Sequence, residues 1–315
     1  MDKHPIPQSM LDAVRQFADP QVAHDFFVQI RFPNGVACPR FGCGSGEVAY
    51  LEKYFRWYCR DCKKQFSAKV GTIFEDSPIG LDKWLPAIWL VASNRNGISS
   101  HELSRALHVT QKTAWFILHR VREAMTDKAF TKLAGPVEAD ETYVGGKPRR
   151  PSIGRSAGKA AERWQDKKTI VLGIVQRGKK TGKVRAFVVP DASGKTVVQK
   201  VRENVEPGAV VYTDADGAYG PLSADYVRYV VNHATEYVNG HIHTNHIEAF
   251  WSLLKRNLRG TQVHVAPEHL QRYVEELVFR FNRRDEQDGP RFAQAAKAAD
   301  GKRLTYKSLI GKASG

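Results

Sequence analysis

The chain has 315 residues, 42% hydrophobic and 26% charged, which suits an ordinary globular protein of two or three domains. Lys plus Arg total 48 against 33 acids, for a formal net charge of +15, and the pI is near 9.7. This balance points to a polyanionic partner, most simply nucleic acid, with an anionic membrane surface as the competing reading. The longest apolar run, Trp84 to Ala92, is far too short to cross a bilayer, so no membrane-spanning role is expected.

The opening segment, Met1 to Ser9, lacks the apolar core of a secretory signal, so a cytoplasmic location is expected. Two short helices are predicted within residues 8–31, the second starting at Pro20, a favoured first-turn position. They fall in a first segment, 1–35, whose function the sequence does not reveal.

Residues 36–70 hold all four cysteines: Cys38, Cys43, Cys59 and Cys62. Their C-x4-C and C-x2-C pairs can close a tetrahedral Zn²⁺ shell, and clustering of this kind argues against a disulfide scaffold. The aromatic stretch Val48–Tyr58 between them reads as a hairpin. A ribbon this small cannot build its own core, so a structural Zn²⁺ would supply much of its folding energy. Arg40, Lys53, Arg56, Arg60, Lys63 and Lys64 crowd it and fit a phosphate-contacting face, or equally a solubilising one.

Residues 78–128 read as helices. Leu81, Trp84, Leu85, Ile88 and Val91 form one apolar face. A short helix, Ser100–Leu107, then a break and a longer helix from Gln111 to about Met125 give the layout of a helix-turn-helix. Its second helix would present Gln111, Lys112, Thr113, His119 and Arg120 to a DNA groove, while Trp115, Leu118 and Val121 pack inward.

From 134 to 285 strands and helices alternate. Strands are predicted at 136–144, 169–177, 183–189, 209–213 and 226–231, with a helix at about 195–203 and a short helical stretch after Asp214. The order β-β-β-α-β-α-β-α describes a mixed sheet flanked by helices. The loop 147–168 carries eight basic residues, among them Lys147, Arg149 and Arg150, and is expected to stay mobile until it meets DNA. A helix over 243–256 has an apolar stripe (Ile247, Phe250, Trp251, Leu254, extending to Leu258) and a polar one (Asn245, Glu248, Ser252, Lys255), with Thr244 as its expected N-cap. Another amphipathic helix spans 269–284. Residues 286–315 read as a helical tail without an identifiable role.

Asp140 lies in the first strand of this region, Asp214 at the end of the fourth, and Glu248 on the helix after the fifth. In such a fold the first and fourth strands are central neighbours, so their acids can meet. Two Mg²⁺ or Mn²⁺ ions roughly 4 Å apart need hard carboxylate ligands of this kind to drive phosphoryl transfer on DNA. Glu138 competes with Asp140, and Asp216 with Asp214. His233, His241, His243 and His246 cluster nearby and could form a further metal site, although loop histidines are more often solvated.

Three stretches, Val137–Gly146, Tyr212–Tyr219 and Thr244–Arg256, together with the cysteine cluster, resemble the bacterial insertion-sequence transposases of the DDE type with an N-terminal zinc ribbon. The resemblance covers nearly all of residues 20–285. It implies a ribonuclease H-like catalytic domain in which Asp140 and Asp214 are the first two metal ligands. Glu248 or Asn245 would take the third place, and Lys255, with Arg256 beside it, would contact a DNA phosphate. It also implies a protein that binds double-stranded DNA, both terminal inverted repeats and target, as a homodimer or larger assembly on the nucleoid. It would cut at the element's ends and join them to target DNA. The rival readings are a non-catalytic DNA-binding regulator and a metal-dependent structure-specific nuclease that cuts without joining.

Overall fold

The computed structural model describes residues 4–126, 131–145, 168–178, 182–231 and 243–310. Lys147, Arg149 and Arg150 of the basic loop, and His233 and His241, lie outside the described residues. Packing divides the chain into two units, residues 1–127 with 283–315, and residues 128–282.

In the first unit, α1 (Met10–Phe17) is capped by the Ser9 side chain, and α2 (Pro20–Arg31) by Asp19. Then come the ribbon strands β1 (Val48–Leu51), β2 (Arg56–Cys59) and β3 (Gln65–Ser67), paired antiparallel in that order. Helices α3 (Leu81–Ser93), α4 (Ser100–Leu107) and α5 (Gln111–Met125) follow. A capping box between Ser99 and Glu102 starts α4 and Thr110 caps α5, so local chemistry fixes the short break between these two helices. The tail is part of this unit: α9 (Asp288–Lys297) buries Phe292 against Phe17, Phe26 and Trp89, with ring centroids 5.2–5.8 Å apart. Gly289 makes that docking feasible, because a Cβ there would lie 2.5 Å from the Pro7 carbonyl oxygen.

Two side chains expected on the exposed face of α5 are not there. His119 is fully buried, its ring 4.2 Å from that of Trp115. Arg120 is half-buried and donates to the carbonyl oxygens of Ile73 (3.0 Å) and Glu75 (2.8 Å). The helix buries Ala114, Ile117, Leu118, Val121, Ala124 and Met125, an apolar arc wide enough to take in its flanks. Gln111 and Lys112 are exposed and Thr113 is partly so.

The second unit is a five-stranded mixed sheet in the order β6-β5-β4-β7-β8, formed by β4 (Val137–Val144), β5 (Thr169–Gln176), β6 (Val184–Val189), β7 (Val210–Thr213) and β8 (Val227–Val230). The β4–β5 and β5–β6 pairs are antiparallel, and β4–β7 and β7–β8 are parallel. One face is covered by α6 (Gly194–Asn204) and the 3-10 segment Gly217–Ala224, which pack Val197, Val201, Tyr219 and Leu222 on Val137, Ala139 and Leu172. The other face is covered by α7 (Asn245–Arg256) and α8 (Leu270–Asn282), which pack Ile247, Phe250, Trp251, Val274 and Leu277 on Val171 and Val175. The expected apolar stripe of α7 is entirely buried.

Candidate functional site

Two constellations stand out, one in each unit. In the ribbon, the Sγ atoms of Cys38 and Cys62 are 3.8 Å apart and those of Cys43 and Cys59 3.7 Å, with all four within 4.8 Å of one another. Four sulfurs about 2.3 Å from a central Zn²⁺ have edges close to 3.8 Å, so the donor set and its spacing fit that ion. The backbone N–H of Cys62 helps bring the Cys59 thiol down to about 7, whereas burial pushes Cys38 up to about 12. Arg56, Arg60, Lys63 and Lys64 are all exposed around this cluster.

In the second unit, the register pairs Glu138 of β4 with Tyr212 of β7. Asp140 lies two residues further along β4 and Asp214 directly follows β7, so the two acids come to neighbouring positions at the sheet centre. Burial, reinforced by the charges of Glu141 and Asp214, pushes Asp140 up from 3.8 to about 6. Glu141 is raised as well, by burial and then by Asp214 and Asp216, although the Tyr219 hydroxyl donates to its Oε2 at 2.6 Å. Glu141 is thus a further acid of the cluster. The alternating pattern of a strand assigns it to the opposite face, which is why a search for same-face acids passes over it. The Asp214 turn is held from β8, where Arg228 donates to the Thr213 hydroxyl (2.9 Å) and the Asp214 carbonyl (3.0 Å). Asp216 caps the 3-10 segment through Ala218 N–H and offers its own N–H to Asp214 Oδ1.

Helix α7 is tied to β4 at two points. The Trp251 indole N–H donates to Asp140 Oδ2 at 2.8 Å. Gly173, the β5 partner of Asp140, makes room for that indole: a Cβ there would lie 2.6 Å from Trp251 Cη2 and from Ile247 Cδ1. The second tie is Glu138, which is fully buried. Its Oε2 accepts the backbone N–H groups of His246 (2.9 Å) and Ile247 (3.0 Å), and its Oε1 meets Arg177 Nε and His246 Nδ1, each at 2.7 Å. A carboxylate from the sheet therefore caps the first turn of α7, where the unsatisfied N–H groups and the helix dipole favour negative charge. The expected cap, Thr244, does not fill that role; its hydroxyl donates to Glu248 Oε1 at 3.1 Å.

Glu138, His243 and His246 also place ligand atoms within 4.8 Å of one another. The Glu138 carboxylate already accepts from four donors, and Arg177 supplies the countercharge. Burial, with Arg177 beside it, lowers the His243 pKa. This grouping reads as a helix cap rather than an ion site. Asn245, Glu248, Lys255 and Arg256 are all exposed on α7. The structure brings Asp140 and Asp214 together and sets Glu248 one turn before Trp251, with Lys255 one turn after it.

The sequence profile of the ISXO2-like transposase domain matches residues 132–282, and that of the transposase zinc-ribbon domain matches residues 19–65. The chain is similar to an uncharacterized protein in transposable element ISH50 of Halobacterium salinarum, 32% identical over 255 residues, which covers 77% of this chain and 84% of that relative. It is also similar to an uncharacterized transposase-like protein of Haemophilus influenzae, 34% identical over 101 residues, 32% of this chain and 81% of the other.

Proposed function

The chain belongs to the ISXO2-like transposase family, and from that premise we propose that it is a DDE-type DNA transposase with a ribonuclease H-like catalytic unit. It binds the ends of an insertion sequence, cuts there and joins the freed ends to target DNA. The observation that supports this most is the nearness of Asp140 on β4 to Asp214 at the end of neighbouring β7, where burial, with the charges of Glu141 and Asp214 adding to it, leaves the Asp140 carboxylate suited to a cation. Asp140 and Asp214 would hold Mg²⁺ or Mn²⁺, with Glu248 or Asn245 as third ligand. When bound, such ions activate the attacking oxygen and neutralise charge on the leaving one.

The protein's own groups do the positioning. Trp251 fixes the Asp140 rotamer, Arg228 fixes the Asp214 turn, and Lys255 meets a phosphate of the bound strand. In the first step a water oxygen attacks phosphorus and the bond to the 3′-oxygen breaks, leaving a 5′-phosphate and a 3′-hydroxyl. In the second, that 3′-oxygen attacks a target phosphodiester and displaces its 3′-oxygen, which takes up the proton. One P–O bond replaces another, so joining needs no outside energy source. The zinc ribbon and the α4–α5 pair would supply the DNA contacts, through Arg56, Arg60, Lys63, Lys64, Gln111, Lys112 and Thr113. Two ends must be held together, which calls for a dimer or larger assembly.

The test is a cleavage and joining assay on duplexes carrying the element's ends. The full chain should yield nicked and strand-transfer products with Mg²⁺ or Mn²⁺. An Asp140→Ala variant should bind the same duplexes and cut none; cutting at the wild-type rate would overturn the assignment. Products cut but never joined would identify a nuclease instead.

A further inference from the structure

Arg177 directly follows β5, and its backbone N–H donates to the Pro136 carbonyl, just ahead of β4, at 2.8 Å. Its side chain is largely buried and meets three further segments. Nε donates to Glu138 Oε1 of β4 at 2.7 Å. The guanidinium carbon lies over the Tyr212 ring of β7, 3.7 Å from the centroid. A terminal nitrogen donates to the His243 carbonyl, just ahead of α7, and reaches His243 Nδ1 at 3.2 Å.

These are the segments that bear the acids. Glu138 stands two residues before Asp140, and Tyr212 two before Asp214. Glu138 also accepts the N–H groups of His246 and Ile247, which lie between Asn245 and Glu248, the two candidates for the third ligand. Two residues of strand span roughly 7 Å, so a shift at this ion pair passes directly to the carboxylates. Capping α7 needs only the negative charge of Glu138, and balancing that charge needs only a cation. Bonding Glu138 and His243 while stacking on Tyr212 needs the planar fork of an arginine, which an ammonium group cannot replace.

We propose that Arg177 is a positioning residue for the acid centre: through Glu138, Tyr212 and His243 it sets the spacing of β4, β7 and α7 so that Asp140, Asp214 and the third ligand on α7 can share a divalent cation. The proposal rests on the transposase reading of the acid pair. Groups that orient metal ligands from behind typically change metal affinity by roughly 10- to 100-fold when removed.

The experiment measures Mn²⁺ binding by the full chain without DNA, from the loss of the free-ion electron paramagnetic resonance signal, alongside the Tm of each variant. Wild type should bind an ion that Asp140→Ala does not. Arg177→Lys keeps the countercharge of Glu138 but not the fork, and should weaken that binding roughly 10- to 100-fold. Tyr212→Leu removes the ring under the guanidinium and should weaken it in the same direction, whereas Tyr212→Phe keeps the ring and should bind as wild type does. A purely structural role would lower the Tm and leave the affinity of the folded chain unchanged. Wild-type affinity in Arg177→Lys overturns the proposal. So does the absence of any difference between Tyr212→Phe and Tyr212→Leu, which decides the matter should Arg177→Lys fail to fold. Mn²⁺ binding that Asp140→Ala retains in full would instead sink the acid-pair reading, and the positioning role with it.

Discussion

Asp140→Asn should stabilise the second unit while abolishing its chemistry. In the folded chain burial, with Glu141 and Asp214 adding to it, raises this carboxyl from 3.8 to about 6 even though Trp251 donates to it. At roughly 1.4 kcal/mol per pKa unit, this amounts to about 3 kcal/mol against folding with the group ionised. The sign follows from the raised value. Below about pH 4 the carboxyl is neutral in both states and no penalty exists; the penalty grows from pH 4 to 6 and is complete above 6. Asparagine is neutral throughout and can still accept from the indole. With a response of roughly 2–4 °C per kcal/mol for a unit of this size, the variant should melt roughly 6–12 °C above wild type at pH 8 and level with it at pH 4. Calorimetry of the full chain without added Mg²⁺ or Mn²⁺ measures this, and added Mn²⁺ should raise the Tm of wild type more than that of the variant. A variant that melts below wild type at pH 8, or a gap that ignores pH, refutes the reasoning.

Gly173→Ala should cost about 1–3 kcal/mol in urea unfolding, because the new methyl meets Trp251 and Ile247; a neutral result would mean that the indole has room to move. Glu138→Gln removes the charge that caps α7 and pairs with Arg177, and should cost about 3–5 kcal/mol, seen as a lower urea midpoint. Trp251→Phe keeps most of the packing but not the N–H, so cutting should fall roughly 10- to 100-fold, as when an outer-shell donor to a ligand is removed. Cys62→Ser, or a zinc chelator, should open the ribbon and expose the buried Trp57, read as a red shift of its emission; an unshifted spectrum would argue against a structural metal.

The legible parts of the fold were those whose signal is periodic or tied to a cap. The strands of the second unit read as apolar runs because both faces of their sheet are covered, and the stripe on α7 matched its pattern because one face of that helix is buried and the other is not. The neighbouring of β4 and β7 also followed from element order alone. Contacts between distant segments left no such trace. Thr244 has the chemistry of a cap and precedes the helix correctly, yet a carboxylate 106 positions earlier in the chain does the capping. His119 and Arg120 are polar and so read as exposed, but on a helix that buries a wide arc the flanking polar residues are drawn inward. Phe292 looked like part of an inert tail because nothing local shows that Phe17 and Phe26 await it.

The choice between Glu248 and Asn245 can be argued from how α7 is rotated. Trp251 points at Asp140. On one side of it Phe250 meets Phe281 of α8, ring centroids 5.3 Å apart. Helix α8 in turn is bonded to β6, the edge strand farthest from β7, by Gln271 to Val188 and Asn282 to Val184. The opposite flank of α7 is therefore turned toward β7 and Asp214. At about 100° per residue, Lys255 lies about 40° and Glu248 about 60° round that flank from Trp251, whereas Asn245 lies about 120° round and a further turn away. On this rotation we propose Glu248 rather than Asn245 as the third ligand. Glu248→Ala should lose at least as much metal-dependent cutting as the roughly 10- to 100-fold cost of removing a supporting group, and Asn245→Ala clearly less. The reverse ranking, measured on the same end duplexes, would show that α7 turns once DNA and metal are bound, and would assign the third place to Asn245.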